Sequence, residues 1–348
     1  MGIEKIKIEK FIELSFRFPV LDVRSEGEFE HAHIPGACNL SLFNNEERKD
    51  VGTIYKQQSR EAAIKKGLDY FGPKMSSMIA AAEEIVAKQV HGQKTVLVHC
   101  WRGGMRSAGV AWLLDLYGFK VYTAIGGYKA FRNWVLEIFS KPHRLQILGG
   151  YTGSGKTELV HGLQSRGAAV IDLEGIAGHK GSAFGNIGLP KQPSQEMFEN
   201  RLVTLLYKKE IEHPKKAIWL EDESQRIGTV NIPNPFWNQM RSSPVTFLDI
   251  DFNKRLDHLV ENYGKLNQSE LRDAILRIQK RLGGLETKTA VAALDEGNLH
   301  GCFSILLKYY DKHYYKGLIN RPDPKPNIKK IEAKEVDIEK NLNEILKQ

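Results

Sequence analysis

The chain has 348 residues, 41% hydrophobic and 26% charged, which is ordinary for a globular protein and long enough to build two cores. Its formal net charge of +8 suits a polyanionic partner such as RNA. Three distant cysteines, Cys38, Cys100 and Cys302, argue against a disulfide framework or a zinc site and for a reducing, cytoplasmic compartment. No apolar run approaches a membrane span, and the first residues lack a secretory apolar core, so no membrane partner is expected.

Residues 18–24 read as a short buried strand ending in charge, where Asp22 and Arg24 are expected to pair and fix the next loop. A helical turn at 25–29 and a Pro-Gly turn at 33–37 precede a strand at 37–40, with Cys38 in its core. Helical patterns occupy 60–66 and 76–88. The β-branched run Val96-Leu97-Val98-His99 then delivers Cys100 into Trp101-Arg102-Gly103-Gly104-Met105-Arg106-Ser107. The two glycines let successive amides turn toward an anion, and Arg102 and Arg106 favour a thiolate at Cys100, the state a nucleophile needs. Ser107 is expected to begin a helix that stops near Gly118. His99 alternates away from Cys100 on its strand and reads as structural. The Cys-x5-Arg spacing also occurs in cysteine phosphatases, so the loop by itself specifies a thiolate beside a tetrahedral anion. A strand at 120–124 and a Gly126-Gly127-Tyr128 turn into a helix with Phe131, Trp134 and Val135 follow. Strands alternating with helices imply a parallel sheet covered on both faces.

Leu21-Asp22-Val23-Arg24, Glu28-Phe29, His33-Ile34-Pro35-Gly36-Ala37, the Cys100 loop and Ile125-Gly126-Gly127 with Trp134 resemble the motifs of a rhodanese domain over about residues 10–138. The resemblance implies a cysteine that accepts sulfur or a related atom, held by loop amides. Common sulfurtransferases place their second key residue five positions after the cysteine, whereas Arg106 lies six after Cys100. The longer loop is similar to that of rhodanese-fold phosphatases and implies room for a larger tetrahedral anion.

After a linker at 141–143, a strand at 144–150 leads into Gly150-Tyr151-Thr152-Gly153-Ser154-Gly155-Lys156-Thr157, a full Walker A loop in its strand-to-helix context. Gly150, Thr152, Gly153, Ser154 and Gly155 would cradle phosphates, Lys156 would reach the outer ones, and Thr157 would be available to magnesium. Strands at 169–174 and 217–224 end in acids: Asp172 and Glu174, then Glu221, Asp222 and Glu223. The second has the form of a Walker B element, with a solvated strand end as the alternative. Between them, residues 178–185, with His179, Lys180 and Ser182, read as a mobile ligand-contacting loop or an inert surface one. From Asn253 the chain is expected to be helical and basic, with Leu256, Leu259 and Val260 on one face. Leu271, Ile275, Ile278 and Leu282 share one further helix beside Arg272, Arg277, Lys280 and Arg281. Residues 308–310 and 313–316 interleave tyrosines with basic groups, either to stack bases or to pack a helical core. A proline-punctuated linker at 322–326 and a terminal helix close the chain.

The fold expected is α/β: a rhodanese-like parallel-sheet domain at 1–140, then a P-loop NTPase-like α/β domain at 141–348 with a helical C-terminal region from about residue 253. That pairing resembles the tRNA 2-selenouridine synthase family. Asn45-Glu46-Glu47-Arg48 with 51–57 is similar to its insertion, and 172–174, 179–185 and 221–228, including Arg226, to its second-domain motifs. Lys180 stands where the family has arginine, which keeps charge and loses bidentate geometry. The resemblance implies a transferase that exchanges selenium for sulfur at wobble-position 2-thiouridine of tRNA. Selenophosphate would be the donor, bound by Arg102, Gly103, Gly104, Met105, Arg106 and Ser107 with Cys100 as nucleophile. It further implies S-geranyl-2-thiouridine made from geranyl diphosphate, whose diphosphate the Walker loop would hold. Two alternatives are a cysteine phosphatase with a nucleotide-binding domain and a P-loop kinase with an accessory rhodanese module. No oligomeric state and no certain metal ligand follow from the sequence.

Overall fold

The computed structural model describes residues 2–89, 93–181, 185, 188–322 and 327–347. The chain divides into two compact units, Met1–Phe139 with Glu199–Thr204, and Ser140–Phe198 with Leu205–Gln348.

The first unit is built on five parallel strands: β1 (Ile3–Ile6), β2 (Val20–Asp22), β3 (Cys38–Asn39), β4 (Thr95–His99) and β5 (Lys120–Ala124), in the order β1-β5-β4-β2-β3. β4 lies at the centre and every one of its residues is buried, as the unbroken run TVLV requires of a strand covered on both faces. Leu21, Val96, Val98, Val110, Leu114 and Val121 form the core over which the Cys100 loop sits. β1 was not legible in the sequence, because it is an edge strand that buries only Ile6; the helix Ile8–Ser15, which buries Ile8, Phe11 and Ile12, was not read either. Residues Asn45–Gln57 form a helix whose start is set by a capping box. The Glu47 amide donates to Asn44 Oδ1 at 2.8 Å and the Asn44 amide to Glu47 Oε2 at 2.9 Å.

The helix after the cysteine spans Met105–Leu116, so it begins two residues before the expected Ser107, with Gly104 at the N-cap. No side chain caps its start, and the Ser107 hydroxyl, inside the first turn, has other partners.

The second unit has β6 (Leu145–Gly150), β7 (Ala169–Ile171), β8 (Ile218–Glu221), a hairpin of β9 (Arg226–Ile227) and β10 (Val230–Asn231), β11 (Val245–Ile250) and β12 (Ile328–Ala333). Its sheet is parallel in the order β12-β11-β6-β8-β7, placing the end of β6 in the middle of the carboxyl edge, where such sheets bind ligands. The strand expected over 169–174 ends at Ile171, because Asp172 turns away to cap the helix Leu173–Ala177 through the Gly175 amide at 2.6 Å.

The region after Asn253 contains the helices Phe252–Tyr263, Gln268–Arg277, Gln279–Leu282, Gly284–Asp295 and Leu299–Ile319 around Leu256, Leu271, Ile275, Leu294, Phe303 and Leu306. The single helix expected to carry Leu271 through Leu282 is two, broken at Ile278. Nor is the remainder wholly helical. β12 pairs along β11 from Ile328 to Ala333 before the terminal helix Ile338–Leu346. Among the described residues no helix is long and apolar enough to cross a membrane.

Candidate functional site

Each unit carries one candidate site at the carboxyl end of its central strand. In the first, β4 delivers Cys100, which is 3% exposed. The Cys100 carbonyl accepts the Tyr128 amide and the Trp101 carbonyl the Lys129 amide, both at 2.9 Å, so the free amides of the helix Gly127–Ile138 hold the loop's entry. Only glycine fits at 127. Its φ is +58°, and a Cβ there would lie 2.4 Å from the Cys100 carbonyl oxygen and 2.5 Å from the Gly103 nitrogen.

The Gly104 amide donates to Cys100 Sγ at 3.3 Å, and Ser107 Oγ lies 3.3 Å from the same sulfur. Ser107 also donates to the Gly104 carbonyl at 3.1 Å. A hydroxyl has one proton, so ionisation of the thiol draws it from that carbonyl to sulfur. Burial opposes the thiolate, but the Ser107 hydrogen bonds, the Arg106 charge and the Gly104 amide outweigh it and hold the Cys100 pKa below the ordinary thiol value. Arg106 is already engaged. Its Nη1 lies 2.9 Å from Glu28 Oε2, which also receives the Ser25 amide and Arg48 Nε. Arg102, Gly103, Gly104 and Met105 are exposed around the sulfur.

Asp22 and Arg24 pair as expected, and wholly in the interior. Arg24 Nη2 lies 2.6 Å from Asp22 Oδ2 and donates to the Ala32 carbonyl at 2.8 Å, with the two side chains 1% and 0% exposed. His99 is equally buried, with Nε2 3.6 Å from the same Asp22 oxygen, which fits its structural reading. Removing one partner would strand a buried charge. Arg24→Ala is therefore expected to cost about 3–5 kcal/mol, read as a lowered urea midpoint.

In the second unit the phosphate loop follows β6. Gly153 and Gly155 have φ of +81° and +73°, the left-handed conformations that a phosphate-cradling loop draws on. Lys156 Nζ donates to the Gly150 carbonyl at 2.9 Å, folded over its own loop. Ser154 Oγ is buried without a partner among the described residues. Thr157 Oγ1 donates to Glu174 Oε2 at 3.0 Å.

The acids divide into two groups. Asp222 is tied inward by Arg321 and by the Tyr314 hydroxyl at 2.7 Å, and Tyr314 in turn accepts the Gly150 amide at 3.1 Å. Glu174 and Glu223 instead converge beside Thr157. A Cβ on Gly181 would lie 2.6 Å from an oxygen of each. Burial and then the mutual repulsion of the two push Glu223 up to about 8. Burial also raises Glu174, with Lys156 opposing it. Glu221 ends β8 buried, with Oε2 accepting the Leu173 amide at 3.1 Å, and Asp172 Oδ2 lies 2.9 Å from His161 Nε2. His179 is buried with no partner for Nδ1 among the described residues, Lys180 is exposed, and Arg226 is exposed with Nε donating to the Gly228 carbonyl at 2.9 Å. Ser182 lies outside the described residues. Among the described residues no group of three His, Cys, Asp or Glu side chains is arranged to hold a metal.

Glu223 has a measurable consequence. With a folded pKa of about 8 against an ordinary value of 4.5, the protein holds a proton that the unfolded chain releases. This contribution is complete below the lower value and is lost as pH rises to the upper one. Glu223→Gln is expected to leave the melting temperature unchanged near pH 4 and to raise it relative to the native chain at pH 8, in chelator-containing buffer.

Sequence reasoning missed Arg255, Asp311 and Arg321. Arg255 is 3% exposed, donates to the Thr152 carbonyl at 3.0 Å and grips Asp311 at 3.0 and 2.7 Å. The available signal was its place on the apolar face of Phe252, Leu256 and Leu259. Tyr314, within the stretch read as base-stacking or core, is turned into the core under Gly150.

A buried, activated cysteine in a glycine loop and a P-loop on a second parallel sheet define a two-site protein of rhodanese and P-loop type. The rhodanese-like domain family matches residues 8–133, and the tRNA 2-selenouridine synthase AAA domain matches residues 143–336. The tRNA 2-selenouridine synthase of Bdellovibrio bacteriovorus is 36% identical over 92% of this chain and 94% of its own length. That of Nitrosomonas europaea is 38% identical over 70% of this chain and 63% of its own, and that of Cupriavidus necator 34% over 85% and 87%. The chain belongs to the tRNA 2-selenouridine synthase family, a family of tRNA-modifying enzymes.

Proposed function

We propose that this enzyme converts wobble-position 2-thiouridine of tRNA to 2-selenouridine with selenophosphate, by way of S-geranyl-2-thiouridine made from geranyl diphosphate. The observation that carries the reading is the environment of Cys100: a thiolate-favouring sulfur between the Gly104 amide and Ser107, ringed by exposed loop residues.

In the P-loop unit, the thiouridine sulfur attacks C1 of the geranyl group. The S–C bond forms, the C–O bond breaks, and diphosphate leaves with the electron pair into the loop amides and Lys156. Magnesium accompanying the diphosphate would meet hard oxygen donors at Thr157 and Glu174, which lie 3.0 Å apart, and would neutralise leaving-group charge. Asp222 is closed to it by Arg321 and Tyr314.

At the other site, Cys100 Sγ attacks phosphorus of selenophosphate. An S–P bond forms and the P–Se bond breaks, freeing selenide without a change of oxidation state. Selenide adds to C2 of the uridine and the C2–S bond breaks, releasing geranylthiol. Water then cleaves the S–P bond and restores the thiolate. The loop Gly103 to Ser107 holds the phosphoryl oxygens, with Arg106 and Arg102 supplying positive charge.

Nucleoside mass spectrometry of 2-thiouridine tRNA incubated with the protein, geranyl diphosphate and selenophosphate tests the reading. A shift to the geranylated nucleoside and then to selenouridine is expected. Unchanged thiouridine with bound tRNA would overturn it.

A further inference from the structure

Trp101 directly follows the nucleophile, yet it is 38% exposed while Cys100 beside it is 3% exposed. Part of the indole is therefore open to solvent beside the reactive loop, where an amphipathic aromatic surface can meet a ligand. On its inner side the ring meets Tyr128 at a tilt of 38°. The Tyr128 ring lies 5.6 Å from that of Trp101, and the Arg24 guanidinium lies 5.9 Å from the indole and 3.8 Å from Tyr128. Arg24 cannot drift, since Asp22 and the Ala32 carbonyl hold it, and the Lys129 amide pins the Trp101 carbonyl at 2.9 Å. Two exposed cations, Arg102 and Lys129, adjoin the ring's anchor points.

We propose that Trp101 is the stacking platform for the target base, holding the uridine ring against its outer face with C2 toward Cys100, while Arg102 and Lys129 meet the flanking phosphates. This rests on the proposed function, in which the uridine must reach the cysteine loop. Unstacked RNA bases are recognised by aromatic faces, and a preordered platform flanked by positive charge matches a single-stranded anticodon loop. The contact with Tyr128, itself under the Arg24 guanidinium, supports the inner side of the indole and would limit the ordering cost of binding.

The test uses the full chain and an anticodon stem-loop RNA carrying 2-thiouridine, and reads the rate of Cys100 alkylation by iodoacetamide with peptide mass spectrometry. Without RNA, the native chain, Trp101→Phe and Trp101→Ala should alkylate at equal rates, showing the nucleophile's surroundings unchanged. RNA should protect the native chain and Trp101→Phe at similar concentrations. Trp101→Ala should need roughly 5- to 150-fold more, the range for loss of one base–aromatic stack. In turnover the loss should fall on KM for RNA, with kcat retained. Equal protection of Trp101→Ala and the native chain overturns the platform alone. Absence of protection in the native chain overturns the platform together with the reading that brings the uridine to Cys100.

Discussion

Cys100→Ala is expected to reduce selenium incorporation by on the order of 10⁴-fold or more, while S-geranyl-2-thiouridine still accumulates. The sulfur is the single atom that the loop is organised around: it receives the Gly104 amide and lies against Ser107 at 3.3 Å each. Alanine removes the nucleophile and leaves the carbonyl anchors to Tyr128 and Lys129 intact, because these use the backbone of Cys100 and Trp101. The fold should lose only about 1 kcal/mol from a small buried gap, so the melting temperature separates lost chemistry from lost structure. The measurement is nucleoside mass spectrometry on 2-thiouridine tRNA with both co-substrates. Loss of geranylation with selenation of pre-geranylated RNA retained would reverse the assignment of the sites.

The two loops were legible in the sequence for a physical reason. Backbone that curls amides around an anion needs glycine where φ is positive or a Cβ would collide, as at Gly103, Gly127, Gly153 and Gly155. Such constraints are local, and local constraints survive in one dimension. What could not be read depends on partners far along the chain. Asp222 has the position of a Walker B acid, but Arg321 and Tyr314, both about a hundred residues later, take its oxygens. Glu174 and Glu223 then face the loop through the turn at Gly181, a juxtaposition that no spacing announces. β12 was hidden differently. Its sequence IKKIEA buries only Ile331, as an edge strand protected by lysines does, and so resembles a charged tail. The break at Ile278 carries neither glycine nor proline, so the apolar spacing ran through it unmarked.

Lys156→Ala is expected to lower geranylation by on the order of 10²–10³-fold, the scale for removing one preorganised charge from a developing anion. The native loop keeps the ammonium on the Gly150 carbonyl at 2.9 Å, inside the nest of amides that the diphosphate would enter. Charge is thus held in place before the substrate arrives, and only a short movement of a flexible stem carries it to the leaving oxygens. Arginine is expected to restore little, since a planar fork replaces a compact point charge in a loop sized for the latter. Two measurements separate binding from chemistry: calorimetric titration with inorganic diphosphate, which should weaken in both variants, and single-turnover geranylation at saturating geranyl diphosphate. Selenation of RNA geranylated beforehand should proceed at the native rate in Lys156→Ala, because Cys100 and its partners belong to the other unit. Native-rate geranylation by Lys156→Ala would remove the diphosphate role from the loop and with it the geranyl step from this unit.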